Sequence, residues 1–328
     1  MQPRLLITSL LTTLILSACG GGGNDDNTSD FTPADGNSSY TGQRTLAALN
    51  TGNAAEYLSM LYGPGFETPS LSFRSTQSMT LAGNDFLSEQ NKLLQHLKQQ
   101  ALPTQYMQRS VNSTENCENE GKLTFTGNAE DGSSKAKINL NYHNCQFGEY
   151  IFDGNAYLII YATNSSFDEI SSATISYNGL QATPVNGAEP FTAVGTLDEV
   201  VDYNTGSTRL TVTLHRQTIS TGKQTFISSV NQYYAVDDTV RANGTLYHGI
   251  YGRANLSTLQ PAIYDAYGNP LSGSLLLKGA NNSKIRVTAL GEQYSLDLDR
   301  YLLLLQVEVD ADGDGIYESL NQSDVDDL

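Results

Sequence analysis

From Leu123 onward, hydrophobic and polar residues alternate one by one. Asn139 and Asn141 separate Ile138, Leu140 and Tyr142, and Thr211 and Thr213 separate Leu210, Val212 and Leu214. Ile285, Val287 and Ala289 alternate with Arg286 and Thr288, and Val307 and Val309 flank Glu308. Successive side chains of an extended chain point to opposite faces, so a period of two predicts strands with one buried and one wet face, as in antiparallel sheets. Turn residues lie between the runs: Asp131-Gly132, Asn178-Gly179, Asn186-Gly187, Asn204-Thr205-Gly206 and Asn269-Pro270. Gly and Asn accept left-handed backbone angles, and Asn and Asp side chains bond to nearby main chain. Gly154-Asn155, Gly195-Thr196, Gly244-Thr245 and Gly273-Ser274 each precede a strand-like run, at uneven spacing. A solenoid or propeller needs a steady period, so long hairpins in a meander fit better. The expected fold over residues 106–328 is mainly β, a large antiparallel meander or sandwich-like domain. Sandwich, barrel and wide curved sheet are all compatible with the pattern.

Residues 45–105 follow a different period. Thr45 to Tyr62 contains Leu46, Leu49, Leu58 and Leu61, interrupted by Asn50, Thr51 and Gly52. A clearer helix is expected from Asp85 to Leu102, capped by Asn84 and stopped by Pro103. Phe86, Leu87, Leu93, Leu94, Leu97 and Ala101 fall on one side of it. That stripe reads as a face packed on the β domain.

The N-terminus carries an address. Arg4 precedes an apolar run from Leu5 to Leu16, interrupted only by Thr and Ser, and then come Leu16, Ser17, Ala18 and Cys19. A positive start, a short apolar stretch and small residues read as a signal peptide over 1–18. The run is too short to span a bilayer, which takes roughly 20 apolar residues. Leu16-Ser17-Ala18-Cys19 resembles the lipobox of bacterial lipoproteins. The resemblance implies cleavage before Cys19 and acylation of its sulfur and its new amine, which would attach the protein to a membrane. Gly20 follows, not the Asp that tends to retain such proteins at the inner membrane, so the resemblance implies the outer membrane, on either its periplasmic or its outer face. Residues 19–44 are rich in Gly, Asn, Asp and Ser. Such composition buries little apolar surface, and a flexible tether is expected.

Charge then narrows the partners. The chain has 328 residues, 35 Asp and Glu against 18 Lys and Arg, and a net charge of −17. Loss of residues 1–18 removes one base, Arg4, and no acid. Nucleic acids and anionic headgroups are bound by basic patches, so neither is an expected partner. Of three cysteines, Cys19 is assigned to lipid, which leaves Cys117 and Cys145 in an exported, oxidising setting. A disulfide is expected; the alternative is two free thiols.

One motif carries chemistry. Asp310-Ala311-Asp312-Gly313-Asp314-Gly315-Ile316-Tyr317-Glu318 places three carboxylates at alternate positions before a glycine. It resembles the calcium loops of EF-hands, dockerins and thrombospondin type 3 repeats. Ca²⁺ takes six to eight oxygens at about 2.3–2.6 Å, and alternate side chains of a tightly curled loop converge. The resemblance implies side-chain ligands from Asp310, Asp312 and Asp314, a main-chain carbonyl from Ile316, and Glu318 at the ninth position, directly or through water. Two features depart from an EF-hand: the twelfth position is Asn321 rather than Glu, and Leu302 to Val309 reads as a strand. A strand-flanked loop of weakened affinity is expected, and the competing reading is an Asp-Gly hairpin turn with solvated carboxylates. The segment Leu271 to Glu318 also resembles a C-terminal cassette of bacterial lipoproteins. That resemblance covers about a seventh of the chain and brings no activity with it.

No catalytic constellation emerges. His96, His143, His215 and His248 form no metal-binding pair, and there is no Gly-x-Ser-x-Gly elbow or phosphate-binding loop. The expectation is a non-enzymatic, lipid-anchored envelope protein, a binding or scaffold module with a calcium loop and an envelope protein or glycan as partner. The alternatives are a surface adhesin and a carbohydrate-active hydrolase that uses a carboxylate pair.

Overall fold

Strand runs ordered along the chain, with short turns between them, pair most readily with their sequence neighbours. A computed structural model describes residues 33–62 and 111–324, apart from 118, 130–135, 149, 164–169, 186, 236, 238, 265–269 and 296–299. It contains β1 (Val111–Asn116), β2 (Lys122–Ala129), β3 (Ala136–Phe147), β4 (Tyr150–Thr163), β5 (Ile170–Pro184), β6 (Phe191–Asp202) and β7 (Ser207–Thr218). There follow β8 (Gln224–Tyr234), β9 (Thr239–His248), β10 (Gly252–Tyr264), β11 (Pro270–Lys278), β12 (Lys284–Ser295), β13 (Arg300–Asp310) and β14 (Glu318–Asp324). All fourteen form one sheet in sequence order, from β1 at one edge to β14 at the other. The architecture is an uninterrupted antiparallel meander.

The alternation seen in the sequence sets the faces. Leu140 lies opposite Phe125 and Ala156. Leu197 lies opposite Ile175 and Val212. All of these are buried, and with their neighbours they form one hydrophobic cluster that runs from Leu123 to Val309. The other face is largely polar. Thr174 Oγ1 donates to Asp198 Oδ1 at 2.5 Å, Thr196 Oγ1 to Asp198 Oδ2 at 3.0 Å, and Thr211 Oγ1 to Asn231 Oδ1 at 2.9 Å.

One turn assignment and the placement of four glycines change. Asn178-Gly179 lies inside β5, at a register shift between the pairs Asn178–Val194 and Leu180–Ala193, so it is a bulge. Gly154, Gly195, Gly244 and Gly273 lie within strands rather than ahead of them. Gly195 shows why: its φ is +144°, and a Cβ there would sit 2.0 Å from Thr213 O.

The expected tether to residue 44 is too long, because the fold begins by Pro33. Ala34 N donates to Ser176 Oγ at 2.9 Å. Helix α1 (Gly36–Ser39) is capped by Asp35, and Gly36 rests against Val194 O and His215 N. Tyr40, 2% exposed, packs on Phe226, Tyr247 and His215 with ring centroids 5.5–5.8 Å apart. Polar composition misled here because one aromatic side chain, Tyr40, is buried against three rings of the sheet.

Residues 43–49 then form a strap across the end of the sheet. Gln43 N donates to Gly249 O, Ala47 N to Arg253 O and Ala280 N to Ala47 O, at 3.0, 2.9 and 2.7 Å. Leu49 N donates to Ser283 Oγ at 3.0 Å. Leu46 and Leu49 are therefore extended, not helical. The helical reading holds from α2 (Ala54–Tyr62), whose Tyr57, Leu58 and Leu61 join the main core. Tyr57 also donates its hydroxyl to Gly252 O at 2.9 Å. The helix expected over 85–102 lies outside the described residues.

Candidate functional site

The acidic loop connects β13 to β14 and is flanked by strands, as expected. Asp310 is the last residue of β13 and faces Lys284, the first residue of β12. The same register sets Arg286 opposite Glu308. Lys284-Ile285-Arg286 and Glu308-Val309-Asp310 thus form two cross-strand ion pairs, with N–O distances of 2.8 and 2.6 Å. Tyr317 packs beneath both cations; its ring centroid lies 4.2 Å from Arg286 Cζ and 5.9 Å from Lys284 Nζ.

Gly313 and Gly315 make the loop possible, with φ of +78° and +88°. Gly313 also abuts the 3-10 turn Ala280–Asn282; a Cβ there would lie 2.3 Å from Asn281 O. The curl brings main-chain N–H groups back to the first carboxylate. Gly313 N donates to Asp310 Oδ1 at 2.8 Å and Gly315 N to Asp310 Oδ2 at 3.1 Å. Asp314 N donates to Asp312 Oδ1 at 3.2 Å, and Ile316 N to Asp314 Oδ1 at 2.7 Å.

Asp310 has no exposed surface, but the loop that covers it is itself open to water, with Asp312, Asp314 and Gly315 exposed. The Lys284 ammonium, helped by the two N–H groups, holds the Asp310 carboxyl below the usual carboxylate range, and Asp310 raises Lys284 in return. The Arg286 guanidinium lowers Glu308 in the same way.

Asp310, Asp312 and Asp314 each offer a carboxylate oxygen, and the three oxygens lie within 4.8 Å of one another. Two oxygens bound to one Ca²⁺ at about 2.4 Å lie at most about 4.8 Å apart, so the spacing and the hard-oxygen chemistry fit this ion. Lys284 Nζ already occupies the position of a cation on Asp310 Oδ2. An ion would share that carboxylate with the ammonium or displace it. Ile316 is held beside the cluster through its N–H, with its side chain 71% exposed. Glu318 opens β14 opposite Val309; its side chain lies outside the described residues.

Lys284 escaped the sequence reading. The signal was present as a Lys-x-Arg run matched by a Glu-x-Asp run in a later strand, but the pairing is visible only once β12 and β13 are known to be adjacent and in this register.

The remaining candidates are scattered. Cys117 and Cys145 stand at disulfide distance, with Cα atoms 5.5 Å apart, where residues 117–121 meet the end of β3. Cys19 and His96 lie outside the described residues. His143 is exposed, whereas His215 and His248 are buried, and burial shifts both below the ordinary histidine range. His248 Nδ1 accepts N–H groups from Ile250 and Tyr251 at 3.3 and 3.4 Å, and its Nε2 lies 3.7 Å from Glu56 Oε2. In comparisons with family models, curated proteins and solved structures, the chain matches none.

Proposed function

We propose that the chain is a non-enzymatic, lipid-anchored protein of the bacterial outer membrane, a β-sheet binding or scaffold module whose Asp310–Asp314 loop takes Ca²⁺. The anchor rests on Leu16-Ser17-Ala18-Cys19. The observation that carries the calcium reading is the convergence of three carboxylate oxygens within 4.8 Å on a loop shaped by two left-handed glycines. In this reading Lys284 keeps the affinity low. Its ammonium neutralises one of the three charges, and Ca²⁺ affinity rises with the number of uncompensated carboxylates.

Calcium titration by calorimetry of the protein, Asp312→Ala and Lys284→Gln tests it. Binding by the parent, loss in Asp312→Ala and tightening in Lys284→Gln are expected. An absence of binding heat in both the parent and Lys284→Gln would return the loop to an ordinary hairpin turn.

A further inference from the structure

In a meander every second turn lies at the same end of the sheet. The hairpins β5–β6, β7–β8 and β9–β10 therefore turn back together, through residues 185–190, 219–223 and 249–251. Main-chain bonds join the three turns into one rim: Ile219 N donates to Pro190 O at 2.9 Å and Gly249 N to Gln224 O at 2.8 Å. Each turn presents an aliphatic side chain to solvent. Val185 is 48%, Ile219 51% and Ile250 73% exposed, with Tyr251 at 38% beside the last. Single exposed aliphatics are common and need no explanation. One at each of three successive, mutually bonded tips is a pattern, and it falls where turn chemistry prefers polar residues.

The charges along the rim are largely answered locally. Ser220 and Thr221 hydroxyls donate to the Glu189 carboxylate, and Lys223 pairs with Glu56. These exposed aliphatic tips, without a basic cluster, suit insertion into a zwitterionic lipid surface. The chain outside the described fold is the right length. Ala34 is fastened to Ser176, and the eight residues from there along β5 to Pro184 span about 26 Å. The fourteen residues from Cys19 to Pro33 reach up to about 50 Å, so a lipid on Cys19 and the rim can meet the same leaflet.

We infer that Val185, Ile219 and Ile250 form a membrane-docking rim that inserts among the headgroups and upper acyl chains of the bilayer holding Cys19. The inference rests on the lipid anchor proposed above. The anchor raises the local concentration of bilayer, so a shallow apolar contact suffices, and the rim sets the orientation of the sheet.

The chain contains no Trp, so one introduced Trp is a unique fluorophore. Ile219→Trp, Ile250→Trp and Tyr233→Trp are each prepared in the full mature protein, checked by mass for acylation, and reconstituted in phosphatidylcholine–phosphatidylethanolamine vesicles with brominated acyl chains. Tyr233 is 45% exposed on the polar face, near the opposite end of β8. Loss of fluorescence at both rim positions, with Tyr233→Trp unquenched, is expected. An acylated protein whose rim tryptophans stay bright, or one quenched equally at all three sites, overturns the rim and leaves the anchor standing. An unmodified Cys19 overturns the anchor and the rim with it. If a rim variant lowers the urea midpoint, Val185→Trp takes its place.

Discussion

Gly313 and Gly315 share a left-handed backbone but differ in surroundings. A Cβ at Gly313 would collide with Asn281 O at 2.3 Å, whereas one at Gly315 meets nothing within 4 Å. Gly315→Ala should cost about 1–2 kcal/mol, the penalty of left-handed backbone for a residue with a Cβ. Gly313→Ala should cost clearly more, because the loop must also leave the 280–282 turn. Urea midpoints of the two variants measure the difference, and equal losses would mean that the loop does not rest on that turn. Titration gives a second handle at this scale. Burial favours the neutral forms of His215 and His248, so stability they contribute is complete above the ordinary value of 6.5 and declines as pH falls through their lower folded values. Asp310 is depressed by Lys284, so its contribution is complete above 3.8 and is lost as pH falls through a lower folded value still. Melting temperatures measured from pH 8 to 2 should therefore decline in two steps. His248→Asn, which keeps an acceptor for the 249–251 turn, should shrink the upper step, and Lys284→Gln the lower one. A decline in His248→Asn identical to that of the parent would remove His248 from the account.

Elements were legible wherever burial on one face was the dominant constraint. Ile138, Leu140 and Tyr142 announced β3, and Val307 and Val309 announced β13, because a period of two has one structural meaning in a half-buried strand. Adjacency and register were not legible. Lys284 opposite Asp310 depends on both, and neither leaves a mark within a single strand. The N-terminal segment failed for the opposite reason: one aromatic, Tyr40, outweighed a run of polar neighbours. Tyr40→Ala should therefore cost about 3–5 kcal/mol and expose residues 34–44 to protease while leaving the sheet intact; resistance equal to the parent's would mean that the strap is held by main-chain bonds alone. The bond between Cys117 and Cys145 closes a sequence separation of 28 residues and should contribute about 3–4 kcal/mol in the chain-entropy model. Comparing the urea midpoints of oxidised and reduced protein checks this, and coincident midpoints would mean that the cysteines constrain nothing.

Across the whole molecule, contacts divide into two populations. Strand pairing is local, since each strand bonds to the next in the chain, and local contacts form quickly. The N-terminal strap is the exception: Ala47 meets Arg253 and Ala280, and Leu49 meets Ser283, 234 residues away. Synthesis delivers the N-terminus first. The strap is therefore made early but can be fastened only after the segments it binds, 249–253 and 280–283, have been made. The strap is in this sense a completion signal, fastened only once β10, β11 and the 280–283 turn are in place.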